Sequence, residues 1–185
     1  MNNSPPVAKD KLELPDCQIF LEKSLKSARE NYSKGMRISV GFFILYDSAF
    51  PGESLYNLLK NSDEFSPTII LIPDTMRGRE NMIFQLEKSY NTFSQKYEEI
   101  KFGYDIKNDS FVDFSNQLDF VCFSNPYDCL THEYFQISHI VKKDVVPFFI
   151  NYTFSVSLYD RKVIALNEFN FFGKYFVVHQ KILLS

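Results

Sequence analysis

Apolar runs of strand length alternate along this chain with polar, turn-rich clusters and with segments whose apolar residues recur every three to four positions. The clearest unit spans residues 118–151. Residues 118–124 are apolar almost throughout and stop at Asn125-Pro126-Tyr127-Asp128. A helix pattern follows over 131–141, and a second apolar run, 145–150, ends in Asn151-Tyr152-Thr153. Two short strands joined by a crossover of this length lie parallel and buried on both faces. Their polar clusters then share one edge. Ligands of open parallel sheets bind beyond the carboxyl ends of the strands, so Asn125, Tyr127, Asp128, Asn151 and Tyr152 are candidate site residues.

The rest of the chain repeats the arrangement. Residues 1–14 are polar with paired prolines and read as a flexible arm. Residues 15–36 read as an N-terminal helix, with Leu21, Leu25, Ala28 and Tyr32 in one stripe and Gly35 at its end. Residues 37–185 read as a Rossmann-like domain. Within it, 37–46 is the strongest strand, followed by a turn-rich segment and a short helix carrying Leu55, Leu58 and Leu59. Residues 68–72 form a second strand closed by Pro73-Asp74, before Arg77-Gly78-Arg79 and a long helix striped by Ile83, Leu86, Tyr90, Phe93 and Tyr97. A weaker strand at 99–104 leads through a polar connection, 105–116, to the central unit. There Thr131 is the expected N-cap, with Leu130 and Phe135 spaced for a hydrophobic staple. A helix-like segment near 162–170 and an apolar run at 175–178 complete the pattern. The expected fold class is α/β: a single Rossmann-like domain, an open mostly parallel sheet with helices on both faces.

Composition narrows this. The chain has 185 residues, 45% hydrophobic, enough for one full core. Its 20 Phe and 11 Tyr, with no Trp, point to a Phe-rich interior. A net charge of -3 argues against a dedicated nucleic-acid partner. Cys17, Cys122 and Cys129 form no CxxC pair, so neither a disulfide framework nor a metal site is expected, and a reducing cytoplasm suits them. No apolar run approaches the roughly 20 residues of a membrane span, and the polar start lacks the apolar core of a signal peptide. The expected location is cytoplasmic. Lys23, Lys26 and Arg29 offer a basic helix face for peripheral contact with the inner face of the membrane, the plainer alternative being a solvated face shared with Glu22 and Glu30.

The first strand-to-helix turn is where a dinucleotide or phosphate loop belongs, and a single Gly52 after Pro51 does not supply its run of amides. No cofactor is expected there, and Asp47 with Ser48 reads as an acceptor or solvent contact. Asp74 closes the second strand on the same rim. Arg77 and Arg79 near a helix start suit a phosphate, or else a solvated loop.

The ordered set Arg37-Ile38-Ser39-Val40 with Phe42-Phe43, Pro51, Ile72-Pro73-Asp74, Arg77-Gly78, Asn125-Pro126-Tyr127-Asp128, Thr131-His132 and Tyr152 resembles the N-terminal half of bacterial CDP-glycerol glycerophosphotransferase-like proteins. These are transferases of teichoic-acid and capsular polysaccharide synthesis. The resemblance covers residues 37–178, and the NPYD tetrapeptide followed by Thr-His is its most specific part. It implies a GT-B architecture, two Rossmann-like domains facing a cleft, with the nucleotide-diphospho donor held mainly by the C-terminal domain. This chain would face a sugar or glycerol-phosphate acceptor, and 185 residues hold one such domain. The expectation is an acceptor-side domain that is inactive without a donor-binding second domain. Better-known glycerophosphotransferases carry a Trp-His-Gly-Thr type motif where this chain reads Asn151-Tyr152-Thr153-Phe154, so that histidine is not carried over.

The implied chemistry needs a base for an acceptor hydroxyl. His132, expected in the first turn of the helix after NPYD, is the first candidate and Asp128 the second. The plainer alternatives are a helix-start histidine meeting solvent and a turn carboxylate. Asn125 and Asn151 would orient hydroxyls or simply shape turns, and Tyr127 and Tyr152 would stack on a sugar or pack at the core edge. His139 and His179 show no partner in the sequence. A stand-alone, non-enzymatic ligand-binding or scaffolding domain is the alternative function. A receiver-like signalling domain needs an acidic pair, a phosphoacceptor Asp and a later Lys, of which only Asp47 fits.

Overall fold

Helix α1 (Leu14–Ser33) leads into a central strand β1 (Ile38–Ile44), followed by α2 (Glu53–Lys60), β2 (Phe65–Leu71), α3 (Arg79–Phe93) and β3 (Ile100–Phe102). A two-residue antiparallel pair, β4 (Tyr104–Asp105) with β5 (Ser110–Phe111), precedes β6 (Phe120–Phe123), α4 (Ile137–Val141), β7 (Val146–Phe149) and β8 (Lys174–Tyr175). The structure, a computed structural model, describes residues 14–48, 50–125, 127–150 and 174–175.

The sheet order is β3-β2-β1-β6-β7-β8, and every adjacent pair is parallel. Counting the parallel strands alone, this is the 3-2-1-4-5-6 order of a doubly wound Rossmann-like sheet. Alternation along each strand divides the core. Phe43, Ile70, Val121, Phe123 and Phe149 share one face with Ile137, Ile140 and Val141 of α4, and Phe20 of α1 packs there. Phe42, Ile69, Leu71, Cys122 and Phe148 share the other with Tyr56 of α2 and Met82, Leu86 and Phe93 of α3. With both faces covered, neither set of alternating positions can be polar, which is why the strands read as unbroken apolar runs. Phe42 meets Phe50, Tyr56 and Phe148 edge-on at 5.6, 5.6 and 6.4 Å, so the phenylalanine content is spent on the interior. Pro67 lies inside β2 at a register position paired with β1 and before the pairing with β3 begins, so its missing N–H removes no ladder bond to β3.

The structure departs from the sequence pattern in three elements. On α2 it is Tyr56 that is buried, whereas Leu58 is 68% exposed. On α3 the buried line runs through Met82, Leu86, Ser89 and Phe93, with Tyr90 left exposed. Most consequential, the helix expected over 131–141 is not continuous: 3-10 turns at Asp128–Leu130 and Glu133–Phe135 precede the five-residue α4. Thr131 is therefore extended rather than an N-cap, and His132 stands at the head of a 3-10 turn, not in a helical turn. The cause is competition for backbone carbonyls. The Gln136 amide donates to the carbonyls of Asp128 (3.1 Å) and Thr131 (3.2 Å), and the Phe135 N–H bonds the His132 carbonyl at 2.9 Å in place of the Thr131 carbonyl that a helix running from Thr131 would require.

α1 belongs to this architecture and is not a separate appendage. It packs on α4, β1 and β7, and its Asn31 amide donates to Asp119 at 2.8 Å. Asp119 also accepts the Ser39 N–H (2.8 Å) and hydroxyl (2.7 Å), a buried carboxylate satisfied at the amino edge of the sheet. The helix expected near 162–170 lies outside the described residues.

Candidate functional site

Parallel strands put all their outgoing loops on one edge, so Tyr46 and Asp47 after β1, Asp74 and Arg77 after β2, and Asn125, Tyr127 and Asp128 after β6 share a rim. Asn151 and Tyr152 lie outside the described residues. The β2 and β6 loops touch directly: the Thr75 N–H donates to the Leu130 carbonyl at 2.9 Å.

Asp74 is 1% exposed. Its Oδ2 accepts the Tyr46 hydroxyl at 2.6 Å, its Oδ1 accepts the Met76 N–H at 2.9 Å, and Arg77 Nε stands 3.7 Å from Oδ2. Asp47 turns the other way, toward α3, where Lys88 Nζ lies at 3.1 Å and the Thr92 hydroxyl at 3.3 Å. It is on the rim but engaged with a helix face. Asn125 Oδ1 accepts the Tyr127 N–H at 3.2 Å, shaping the turn, and the Tyr127 ring is 43% exposed. Asp128 is partly exposed, with Oδ1 accepting the Ile137 N–H at 3.4 Å.

Beneath this loop, at the β1/β6 reversal of strand order, Ser124, Asn125, Asp128 and Thr131 line a cavity of about 10 Å³ floored by Phe43, Phe123 and Phe135, room for a single water. Among the described residues, side chains occupy most of this part of the crevice. Phe135 is the plug: a Cβ built on Gly103 would fall 2.6 Å from its ring, so glycine at 103 is what lets that ring lie over the end of β2.

His132 stacks on Phe111 at 3.8 Å and 10° between rings, and its Nδ1 accepts the Tyr134 N–H at 3.4 Å. Burial lowers its pKa; Glu133 opposes this and His139 reinforces it. The neutral ring with Nδ1 as acceptor carries its proton on Nε2. His139, unpartnered in the sequence, is paired: its Nε2 lies 2.9 Å from Asp113 Oδ2. Burial pushes the Asp113 carboxyl up, but Ser115 and His139 outweigh it and leave the pKa below the ordinary value.

Sequence reasoning missed Tyr46 and the Asp113–His139 pair. Tyr46 had a signal, being the polar-tipped last residue of the strongest apolar run. Asp113 and His139 are 26 positions apart, on separate elements, and nothing local links them. Gly52, where a phosphate loop would need open amides, is buried, and a Cβ there would lie 3.0 Å from the Phe42 ring. Its role is packing. Among the described residues, no three His, Cys, Asp or Glu group to hold a metal, and no helix is long and apolar enough to cross a membrane.

The chain matches no family model, and no curated protein or solved structure is significantly similar to it.

Proposed function

We propose that this chain is the acceptor-side domain of a transferase whose nucleotide-diphospho donor is held by a second Rossmann-like half. The ordered motifs that resemble CDP-glycerol glycerophosphotransferase-like proteins motivate the reading. The observation that carries it is the rim: Asp74 and Arg77 follow one strand end and Asn125, Tyr127 and Asp128 another, on the same edge of the sheet, with the two loops joined at Thr75 and Leu130. In this reading an acceptor hydroxyl forms the new bond to phosphorus or the anomeric carbon, the bond to the nucleotide leaving group breaks, and the hydroxyl proton goes to a base. His132 and Asp128 are the two candidates for that base; each already accepts a backbone N–H at 3.4 Å, His132 from Tyr134 and Asp128 from Ile137, and Asp128 is the one that follows the β6 strand end directly. Asn125 and Tyr127 orient the acceptor.

Titration with CMP and CDP-glycerol is the test. No tight binding to this chain alone is expected, whereas glycerol-based acceptors shift the amide resonances of Asn125 and Tyr127. Tight donor binding here overturns the division of labour. A second reading, a non-enzymatic ligand-binding or scaffolding domain, is favoured by the closed crevice with its single-water cavity. Under it, neither donor nor acceptor perturbs the rim.

A further inference from the structure

We infer that Arg77 is the anion-reading group of this rim, set in place by the buried Asp74–Tyr46 pair, and that the ligand it takes is a phosphate ester. The inference rests on the acceptor-side reading only for where the ligand lies.

A carboxylate sealed from water needs hydrogen bonds and a counter-charge. Asp74 obtains two hydrogen bonds, from the Tyr46 hydroxyl at 2.6 Å and the Met76 N–H at 2.9 Å. The counter-charge is Arg77, whose Nε at 3.7 Å is too far for a hydrogen bond and acts through its charge. The exposures are opposite: the Asp74 side chain is 0% exposed and that of Arg77 63%. Arg77 is thus tethered from below by a fixed negative group, and none of its N–H donors is used within the described residues.

Its neighbour is different. Arg79 Nε donates to Asp109 at 2.7 Å, tying the start of α3 to the loop between β4 and β5. Of the two arginines the sequence offers, one is committed to structure and the other is exposed, two residues beyond Thr75, where its loop is joined to the β6 loop at Leu130. A guanidinium presents a planar fork that matches two oxygens of a phosphate, a geometry that an ammonium cannot reproduce. Asp74 and Tyr46 are positioning residues in this scheme. They make no ligand contact but hold the fork at the lip.

The experiment follows the Arg77 Nε–H and the amides of residues 75–78 by NMR in the full chain, titrated with inorganic phosphate, glycerol 3-phosphate and glycerol. Both phosphates shift them and glycerol does not. Arg77→Met weakens phosphate binding about tenfold or more, the loss of charge-assisted hydrogen bonds, and Arg77→Lys recovers only part of it. Asp74→Asn and Tyr46→Phe weaken binding about threefold or more and broaden or move the Arg77 Nε–H signal in the free protein, which a merely structural role would leave in place. Should Asp74→Asn not fold, Tyr46→Phe carries the positioning claim. A folded Arg77→Met chain that binds phosphate as tightly as wild type overturns the inference, as does a wild-type chain with no phosphate response at Arg77. Phosphatidylglycerol vesicles separate a lipid headgroup from a free ester: a response at Arg77 to the vesicles alone overturns the free-ester assignment. Donor binding and turnover play no part in these readouts, so failure of the transferase reading leaves them standing, and their failure leaves that reading intact.

Discussion

Asp113 and His132 show how single side chains set the acid stability of this fold. The Asp113 carboxyl titrates below its ordinary value because Ser115 and His139 outweigh the effect of burial. A lowered carboxylate contributes stability that is complete above the unfolded value, about 4, and is lost as pH falls through the folded value. Asp113→Asn is therefore expected to lower the denaturant midpoint more at about pH 7 than at about pH 3. Equal losses at both would remove the carboxylate's charge from the account. His132 acts at higher pH. Burial lowers its pKa, so the unfolded chain binds a proton first and stability declines as pH falls below about 6.5. His132→Phe, which preserves a ring against Phe111, should flatten the stability curve between about pH 7 and pH 5.

At the scale of elements, the segment between β6 and β7 decides what the rim can be. Its sequence has helical periodicity, yet only Ile137–Val141 becomes α-helix. Gln136 captures two carbonyls, Thr131 is buried in an extended conformation, and Phe135 drops into the space above Gly103. That last contact is a paired fit between two elements. Gly103→Ala should cost about 1–3 kcal/mol through the clash with the Phe135 ring. In a Phe135→Leu background the added methyl has room, so the same change should cost markedly less. Additive losses in a double-mutant cycle would show that glycine at 103 serves some other need. Periodicity could not reveal this fit, because the glycine that admits the Phe135 ring lies on a separate part of the chain.

Across the whole molecule the two edges of the sheet have different tasks. At the amino edge, Asp119 joins α1 to the central strand through Asn31 and both donors of Ser39. Asp119→Ala leaves those half-buried donors without their carboxylate and should destabilise the protein by about 1–3 kcal/mol, with α1 amides losing hydrogen-exchange protection first. Uniform loss of protection over the whole sheet instead would mean that α1 has no separable hold. The carboxyl edge carries Asp74, Arg77, Asn125, Tyr127 and Asp128, the residues to which the proposed ligand contacts belong. Keeping the anchoring charge at one edge and the exposed polar groups at the other lets the rim vary without loosening the attachment of the first helix.

The sequence by itself determined the α/β alternation, the central place of the first strand, the sharing of one edge by Asp74, Arg77, Asn125, Tyr127 and Asp128, and the want of a phosphate loop after β1. Those follow from period, run length and turn residues, which act between near neighbours. Only the tertiary structure decided that Tyr46 rather than solvent meets Asp74, that His139 has a partner in Asp113, that Asp47 faces α3, and that Phe135 closes the crevice. Each of these joins residues on different elements, and such pairings are fixed by how the layers pack on the sheet, a geometry that no local stretch of chain encodes.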